Sequence, residues 1–153
     1  MTMLAKQRAV DRLLAGCQPS APADLARHLS THGPITVLDG HLFGRQGVTR
    51  WAKQFADDLE RSGLTGRGGA AFPTSVKLRS MLVNRTRPTI VVNAMESEPA
   101  SRKDDVLLSH APHLVIDGAE LLAAATGASE ITFCVAGNRP AVADDLRLAI
   151  AER

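Results

Sequence analysis

Between Gly63 and Thr74 the chain reads Gly-Leu-Thr-Gly-Arg-Gly-Gly-Ala-Ala-Phe-Pro-Thr. Glycines at 66, 68 and 69 let a ligand approach the backbone closely, and Pro73 suits the first turn of a helix, where its missing N–H needs no partner. A glycine-rich turn feeding a helix N-terminus offers clustered N–H groups and the positive end of the helix dipole to a phosphate. Arg67, inside the run, and Lys77, one turn into the helix, can add charge-assisted bonds to that anion. Phe72 can form an apolar platform for a flat ligand, although a phenylalanine packed in the core accounts for it as well. The run is not a Walker loop, because no Gly-Lys-Ser/Thr follows the glycines, nor is it G-x-G-x-x-G after a strand. Composition alone leaves a flexible surface turn open as the alternative.

A second chemistry-bearing stretch, Asn93-Ala94-Met95-Glu96-Ser97-Glu98-Pro99-Ala100-Ser101-Arg102-Lys103-Asp104, presents an amide, several carboxylates and hydroxyls directly after an apolar run. Glu96 and Glu98 can hold a ring edge or a carboxamide by hydrogen bonds. An acidic turn in solvent, paired to Arg102 and Lys103, is the plainer alternative. His110 and His113 stand three apart near Asp104 and Asp105, but Pro112 between them and the want of a third ligand argue against a metal site. Cys17 and Cys134, the two cysteines, are far apart and outside any CxxC spacing. They predict neither a disulfide framework nor a complete iron–sulfur ligand set, and Cys134 is expected to be a buried packing residue.

The elements that must position these groups are legible from periodicity. Leu4 to Ala15 and Asp24 to Ser30 predict two short helices, separated by a Pro-rich link and ended by Gly16 and by His32-Gly33-Pro34. Ile35 to Leu38 suits a short strand. Trp51, Phe55 and Leu59 mark a helix over Val48 to Arg61, and Val76, Leu78, Met81 and Leu82 the apolar side of a helix after Pro73. Pro88 to Asn93 is a β-branched run without alternation, which predicts a strand covered on both faces and followed by a polar loop. Leu114, Val115, Gly118, Leu121, Leu122 and Ala125 predict a helix ended by Gly127; Ile131 to Ala136 predicts a second buried strand. Asn138-Arg139-Pro140 caps and starts a last helix with Val142, Leu146 and Ile150 on one face. Strand, helix, strand, helix implies an α/β crossover unit, with ligands beyond the carboxyl ends of the strands, where the loop after Asn93 and the turn after Ala136 converge.

With 153 residues, 44% of them hydrophobic and 22% charged, one ordinary globular domain is expected. A net charge of +2 without basic runs argues against nucleic acid as a partner. No apolar stretch is long enough to span a bilayer and no leader is recognisable at the N-terminus, so direct membrane insertion is not expected and a cytoplasmic location is.

Taken together, Ser62 to Thr74 with Lys77, Asn93 to Pro99 with Lys103-Asp104, and Pro112 to Gly118 resemble the FMN- and NADH-binding flavoprotein family of respiratory complex I, whose relatives include NAD-linked hydrogenases and formate dehydrogenases. The likeness runs from about Val48 to the C-terminus; residues 1–47 are expected to be a helical or irregular appendage. It implies a three-layer Rossmann-like domain, of which 48–153 form the N-terminal portion with a short parallel sheet. It implies FMN as cofactor, NAD(H) as substrate, and electrons passed to an iron–sulfur cluster on a separate partner chain. On that pattern Gly66, Arg67, Gly68, Lys77, Asn93, Glu96 and Ser97 bind FMN, while Phe72 and Glu98 meet NADH. No residue is expected to be catalytic in its own right, because the flavin carries the redox chemistry. The chain is then a component of an NADH dehydrogenase, not active alone and at most peripheral to a membrane complex. A truncated, noncatalytic relative serving as an interaction or structural subunit is the alternative.

Departures from the family pattern are informative. Ala71 stands in place of a usual glycine, which predicts no need for positive φ there. Met95 replaces an aspartate, and Cys134 and Asn138 a tyrosine and a glutamate, leaving NADH against NADPH open. Gly137-Asn138-Arg139-Pro140 and Val76-Lys77-Leu78 are more similar to the C subunit of Rnf-type complexes. Family members continue into further domains, including the cluster-binding one, beyond the part this chain matches.

Overall fold

The computed structural model describes residues 13–18, 21–36, 40–67, 70–83, 88–96 and 100–153, with backbone alone over 40–45. Gly68, Ser97 and Glu98 lie outside these residues, as do most of the helix expected over 4–15 and the latter part of the strand expected over 35–38; Ile35 and Thr36 are in no strand. The described elements run α1 (Leu25–His32), α2 (Gly40–Ser62), α3 (Thr74–Val83), β1 (Thr89–Ala94), α4 (Lys103–His110), α5 (Pro112–Thr126), β2 (Glu130–Val135) and α6 (Pro140–Ala151). The chain is mixed α/β, with β1 and β2 paired as a two-stranded parallel sheet. Residues fall into two units, one comprising Met1–Ile35, Val91–Gly118 and Phe133–Arg153, the other Thr36–Ile90 and Ala119–Thr132.

In the second unit the four-residue recurrence of Trp51, Phe55 and Leu59 does what it predicts, but α2 starts earlier than Val48, at Gly40. Ala52 and Ala56 are fully buried, and with Leu78 and Ala125 they form a core flanked by Trp51, Phe55, Leu59, Leu82 and Leu122. Small residues at 52 and 56 let neighbouring elements approach closely, and the Trp51 and Phe55 rings stack 5.5 Å apart. Arg79 ties α3 to α2, donating to Asp57 at 2.7 Å and to Glu60 at 2.6 Å. Gly63, left-handed at φ 65°, ends α2. Pro73 stands just before α3 as its cap, its carbonyl accepting from the Lys77 N–H.

In the first unit Leu108, Ile116, Leu146 and Ala149 form the core, and Ala94, Val115, Phe133, Val135 and Val142 pack against it. The apolar side of α6 is therefore Val142, Leu146 and Ala149; Ile150 is exposed, because a helix advances the stripe by three residues here and not by four. Gly118, expected among the apolar positions of α5, is exposed. Two further expectations are overturned. The polar loop after β1 contains a helix, α4, with Asp104 and Asp105 in its first turn and His110 in its last, the charge order that suits a helix dipole. The strands are not covered on both faces: Ile90, Val92 and Ala94 are half-buried, while Thr89, Val91 and Asn93 are exposed, so the β-branched run hides a two-residue alternation that its apolar composition masks. Cys134 is likewise only partly buried.

The N-terminal segment is stitched into this unit. Asp24 caps α1 by accepting from the Arg27 N–H at 2.8 Å. The His110 carbonyl accepts from the Ala23 N–H at 3.0 Å and from the Cys17 thiol at 3.1 Å. Burial pushes the Cys17 thiol up, with Arg27 pulling the other way. Deeper in, His28 bonds Asp117 at 2.8 Å through Nε2, and Arg153 donates to the other oxygen of Asp117 at 2.8 Å. His113, whose ring lies 5.4 Å from that of His28, bonds Glu152 at 3.0 Å.

Candidate functional site

The sequence-predicted site residues divide between the units. Gly66, Arg67, Phe72 and Lys77 stand in the second, Asn93 and Glu96 in the first.

The glycine run is a loop closed at its base. Thr65 and Pro73 form an antiparallel bridge; the Gly66 N–H donates to the Phe72 carbonyl at 2.9 Å and the Thr74 N–H to the Leu64 carbonyl at 3.0 Å. These bonds tie Leu64 to Gly66 against Phe72 to Thr74, and they remove the Gly66 N–H from the groups open to a ligand. Closing the loop forces the chain back on itself before Phe72, and Ala71 takes a left-handed conformation at φ 42°. That corrects the expectation drawn from its being alanine: positive φ is required here whether or not a glycine supplies it. At Gly66 the reverse holds, since an added Cβ would meet only Phe72 backbone atoms at 3.7 and 3.8 Å, ordinary contact distances. The fold alone does not demand glycine at 66.

Lys77 is exposed, and its ammonium lies 5.7 Å from the centroid of the Phe72 ring, itself 45% exposed. Phe72 is thus at the surface and not in the core. Leu64 and Val76 are exposed nearby in sequence, and Val76 lies outside the core expected of it. A cleft of about 230 Å³ beside the loop is lined by Leu59, Gly63, Leu64, Thr65, Pro73 and Val76, among others. The cations of this region differ sharply. Arg79 is committed to two carboxylates and held above its usual range by Asp57 and Glu60, whereas neither Arg67 nor Lys77 pairs with a carboxylate among the described residues. Arg67 in the glycine loop and Lys77 in the first turns of α3 thus leave two cations without a carboxylate partner among the described residues, an arrangement that suits an anion.

In the first unit Asn93 closes the end of β1, its Oδ1 accepting from the Met95 N–H at 3.1 Å. Glu96 turns inward, with its side chain 2% exposed. Its Oε2 accepts from the Asp104 N–H at 2.9 Å and its Oε1 from the Lys103 ammonium at 3.0 Å. The Asp104 N–H, and then the Lys103 and Ser101 side chains, hold the Glu96 carboxyl below the usual glutamate range. Lys103, bonded to Glu96 and at 3.2 Å to Asp104, is held above its own range by Glu96 first. Glu96 therefore caps α4 in the free protein, the pairing with Lys103 that the plainer reading of the loop anticipates, but buried. The turn after β2 is joined to this region by an ion pair between Arg139 and Asp105. This is the convergence of strand-end loops that the crossover pattern predicts. Asp105 and Arg139 are not site candidates by sequence, and the signal available for them is the acidic first turn of an unrecognised helix.

Among the described residues no group of three or more metal-type side chains is close enough to hold a metal ion, and no helix is long and apolar enough to cross a membrane.

The family model of the Nuo51 FMN-binding domain matches residues 59–153. The chain is 38% identical over 100 residues to the F subunit of NADH-quinone oxidoreductase from Aquifex aeolicus, covering 65% of this chain and 24% of that protein. It is 38% identical over 97 residues to the corresponding F subunit from Rickettsia felis, covering 63% and 23%, and 39% identical over 98 residues to that from Rhodobacter capsulatus, covering 63% and 23%. The chain thus spans about a quarter of the length of the curated relatives it matches. From Leu59 to the last residue it follows one family's pattern, through the closed glycine loop, both strands and α3 to α6, and the chain belongs to the Nuo51 FMN-binding domain family.

Proposed function

We propose that this chain is the FMN-binding module of an NADH dehydrogenase of the complex I flavoprotein type. It takes part in hydride transfer from NAD(P)H and delivers electrons to an iron–sulfur cluster on a separate chain. The observation that carries the reading is the closed glycine loop with two cations, Arg67 and Lys77, that no carboxylate neutralises among the described residues. Bound FMN would supply a ring able to take a hydride and release electrons one at a time. The chain's own residues bind and orient. Arg67 and Lys77 neutralise the phosphate, with Gly66 and Gly68 lining its approach; Asn93, Glu96 and Ser97 are assigned to the rest of the flavin. Phe72, exposed at the loop's end, offers its ring to the adenine of NADH, and Glu98 its carboxylate to the nicotinamide amide.

On this reading 48–153 form the flavin-binding portion and 1–47 an addition to it. On this reading a partner chain completes the cleft and carries the cluster; two cysteines, Cys17 and Cys134, do not make a cluster site. The exposed apolar Val91 on the open side of β1 is where such a completing layer would be expected, because parallel sheets are ordinarily covered on both faces. The module would then sit on the peripheral part of a membrane complex.

The test is flavin content. Full chain purified with its neighbouring-gene product should release FMN fluorescence on denaturation, and Lys77→Ala should weaken FMN binding by about 1–3 kcal/mol. A flavin-free preparation that also fails to take up added FMN would favour the noncatalytic structural subunit instead; unchanged affinity in Lys77→Ala would remove Lys77 from the site.

A further inference from the structure

Lys77 is reached from α3 by simple geometry. Helical side chains lean toward the N-terminus, so the Lys77 stem carries its ammonium back to the glycine loop, where it meets the ring of Phe72 at 5.7 Å. An ammonium at that end of a helix faces the positive pole of the dipole, an unfavourable place for a cation. Among the described residues no carboxylate pairs with it there, and the ring is the group it meets. Lys77 and Phe72 are both exposed, and the ammonium lies over one face of the ring, where it would compete with a flat ligand stacking on that face.

We infer that the Phe72 ring and a ligand phosphate compete for the Lys77 ammonium, so that filling the phosphate site frees the ring and favours binding of a flat ligand there. The inference rests on the reading of the glycine loop as a phosphate site given above and adds a coupling to it. An arriving phosphate gives Lys77 a charged partner and offsets the dipole; the ammonium leaves the ring, and Phe72 opens to an aromatic ligand such as an adenine. Conversely, a flat ligand binding first must displace the ammonium at its own cost. Phe72 is thereby a positioning residue for Lys77 in the empty protein and a ligand contact in the loaded one.

An exposed cation–ring contact sets the coupling at about two- to fivefold in affinity. Full chain should be titrated with FMN and with riboflavin, which lacks the phosphate, in wild type, Phe72→Leu, Phe72→Met and Lys77→Met. The ring-current-shifted Lys77 side-chain signals should be followed by NMR in parallel. Removing the ring is expected to tighten FMN by about two- to fivefold and leave riboflavin unchanged, and FMN or inorganic phosphate should move the Lys77 signals toward those of a free lysine. FMN affinity unchanged or weakened in both Phe72 variants, or Lys77 signals that stay put while FMN binds, would overturn the coupling and leave the flavin reading standing. Wild-type protein that binds neither flavin, or Lys77→Met that binds FMN as wild type does, would overturn the phosphate reading, and the coupling with it.

Discussion

Ala71 shows how far residue type alone can be trusted. An alanine in place of glycine says that the backbone is free of special demands, yet the bond from Gly66 to the Phe72 carbonyl bends the chain through φ 42° at that residue. Left-handed backbone costs an L-residue about 1–2 kcal/mol, while glycine adds about 0.4–1 kcal/mol of unfolded-state freedom. Ala71→Gly should therefore raise stability in urea by up to about 1 kcal/mol; a clear loss would mean that the Ala71 methyl makes a contact worth more than the strain. The types of Arg67, Phe72 and Lys77 were legible as a candidate site because their chemistry is carried in the side chain. Their states were not legible, since whether a cation is paired or a ring exposed depends on what the fold brings beside it.

Elements with an apolar stripe could be read, and α4, held by a carboxylate reaching in from the end of β1, could not. Helices α2, α3, α5 and α6 follow from Trp51, Phe55, Leu78, Leu122 and Leu146. Helix α4 has little amphipathic signal and is held by Glu96 reaching from β1's end to its first turn, a contact eight residues away in sequence. That contact makes the strand-end loop sensitive to acid. Because the Asp104 N–H and Lys103 hold the Glu96 carboxyl below its usual range of about 4.3, its stabilisation is fully present at neutral pH and is lost as the pH falls through the lowered value. Wild type and Glu96→Gln should differ in urea stability near about pH 7 and converge toward about pH 3; a difference that persists undiminished in acid would assign the cap to hydrogen bonding without charge. If Glu96 also meets a flavin, it does so as the ionised form at neutral pH.

At the scale of the molecule, the described part of the N-terminal segment bonds to residues distant in sequence within its unit. His28 is 3% exposed and bonds Asp117, which also holds Arg153, while Glu152 accepts from both His113 and the Leu25 N–H. Histidines 85 residues apart share one buried cluster, which no local pattern reveals. His28→Ala removes a buried ring and one partner of a buried carboxylate, and should cost about 2–4 kcal/mol in chemical denaturation; a change below about 0.5 kcal/mol would show the segment to be loosely attached. The crossover order of strands and helices was readable from the sequence. The open side of β1 was not, because Ile90, Val91 and Val92 are equally apolar whether they face a core or solvent.

The bridge at the foot of the glycine loop also acts as a ruler. With Gly66 and Phe72 bonded to each other, and α3 beginning directly after Pro73, the closure sets how many residues separate the two bonded positions, and the distance from ring to Lys77 is measured from its end. Replacing residues within the span changes how comfortably the chain makes the circuit, as Ala71 does. Inserting or deleting even one would either break the closing bond or carry Phe72 out of step with Lys77, so this segment should accept variation in spelling far more readily than variation in length.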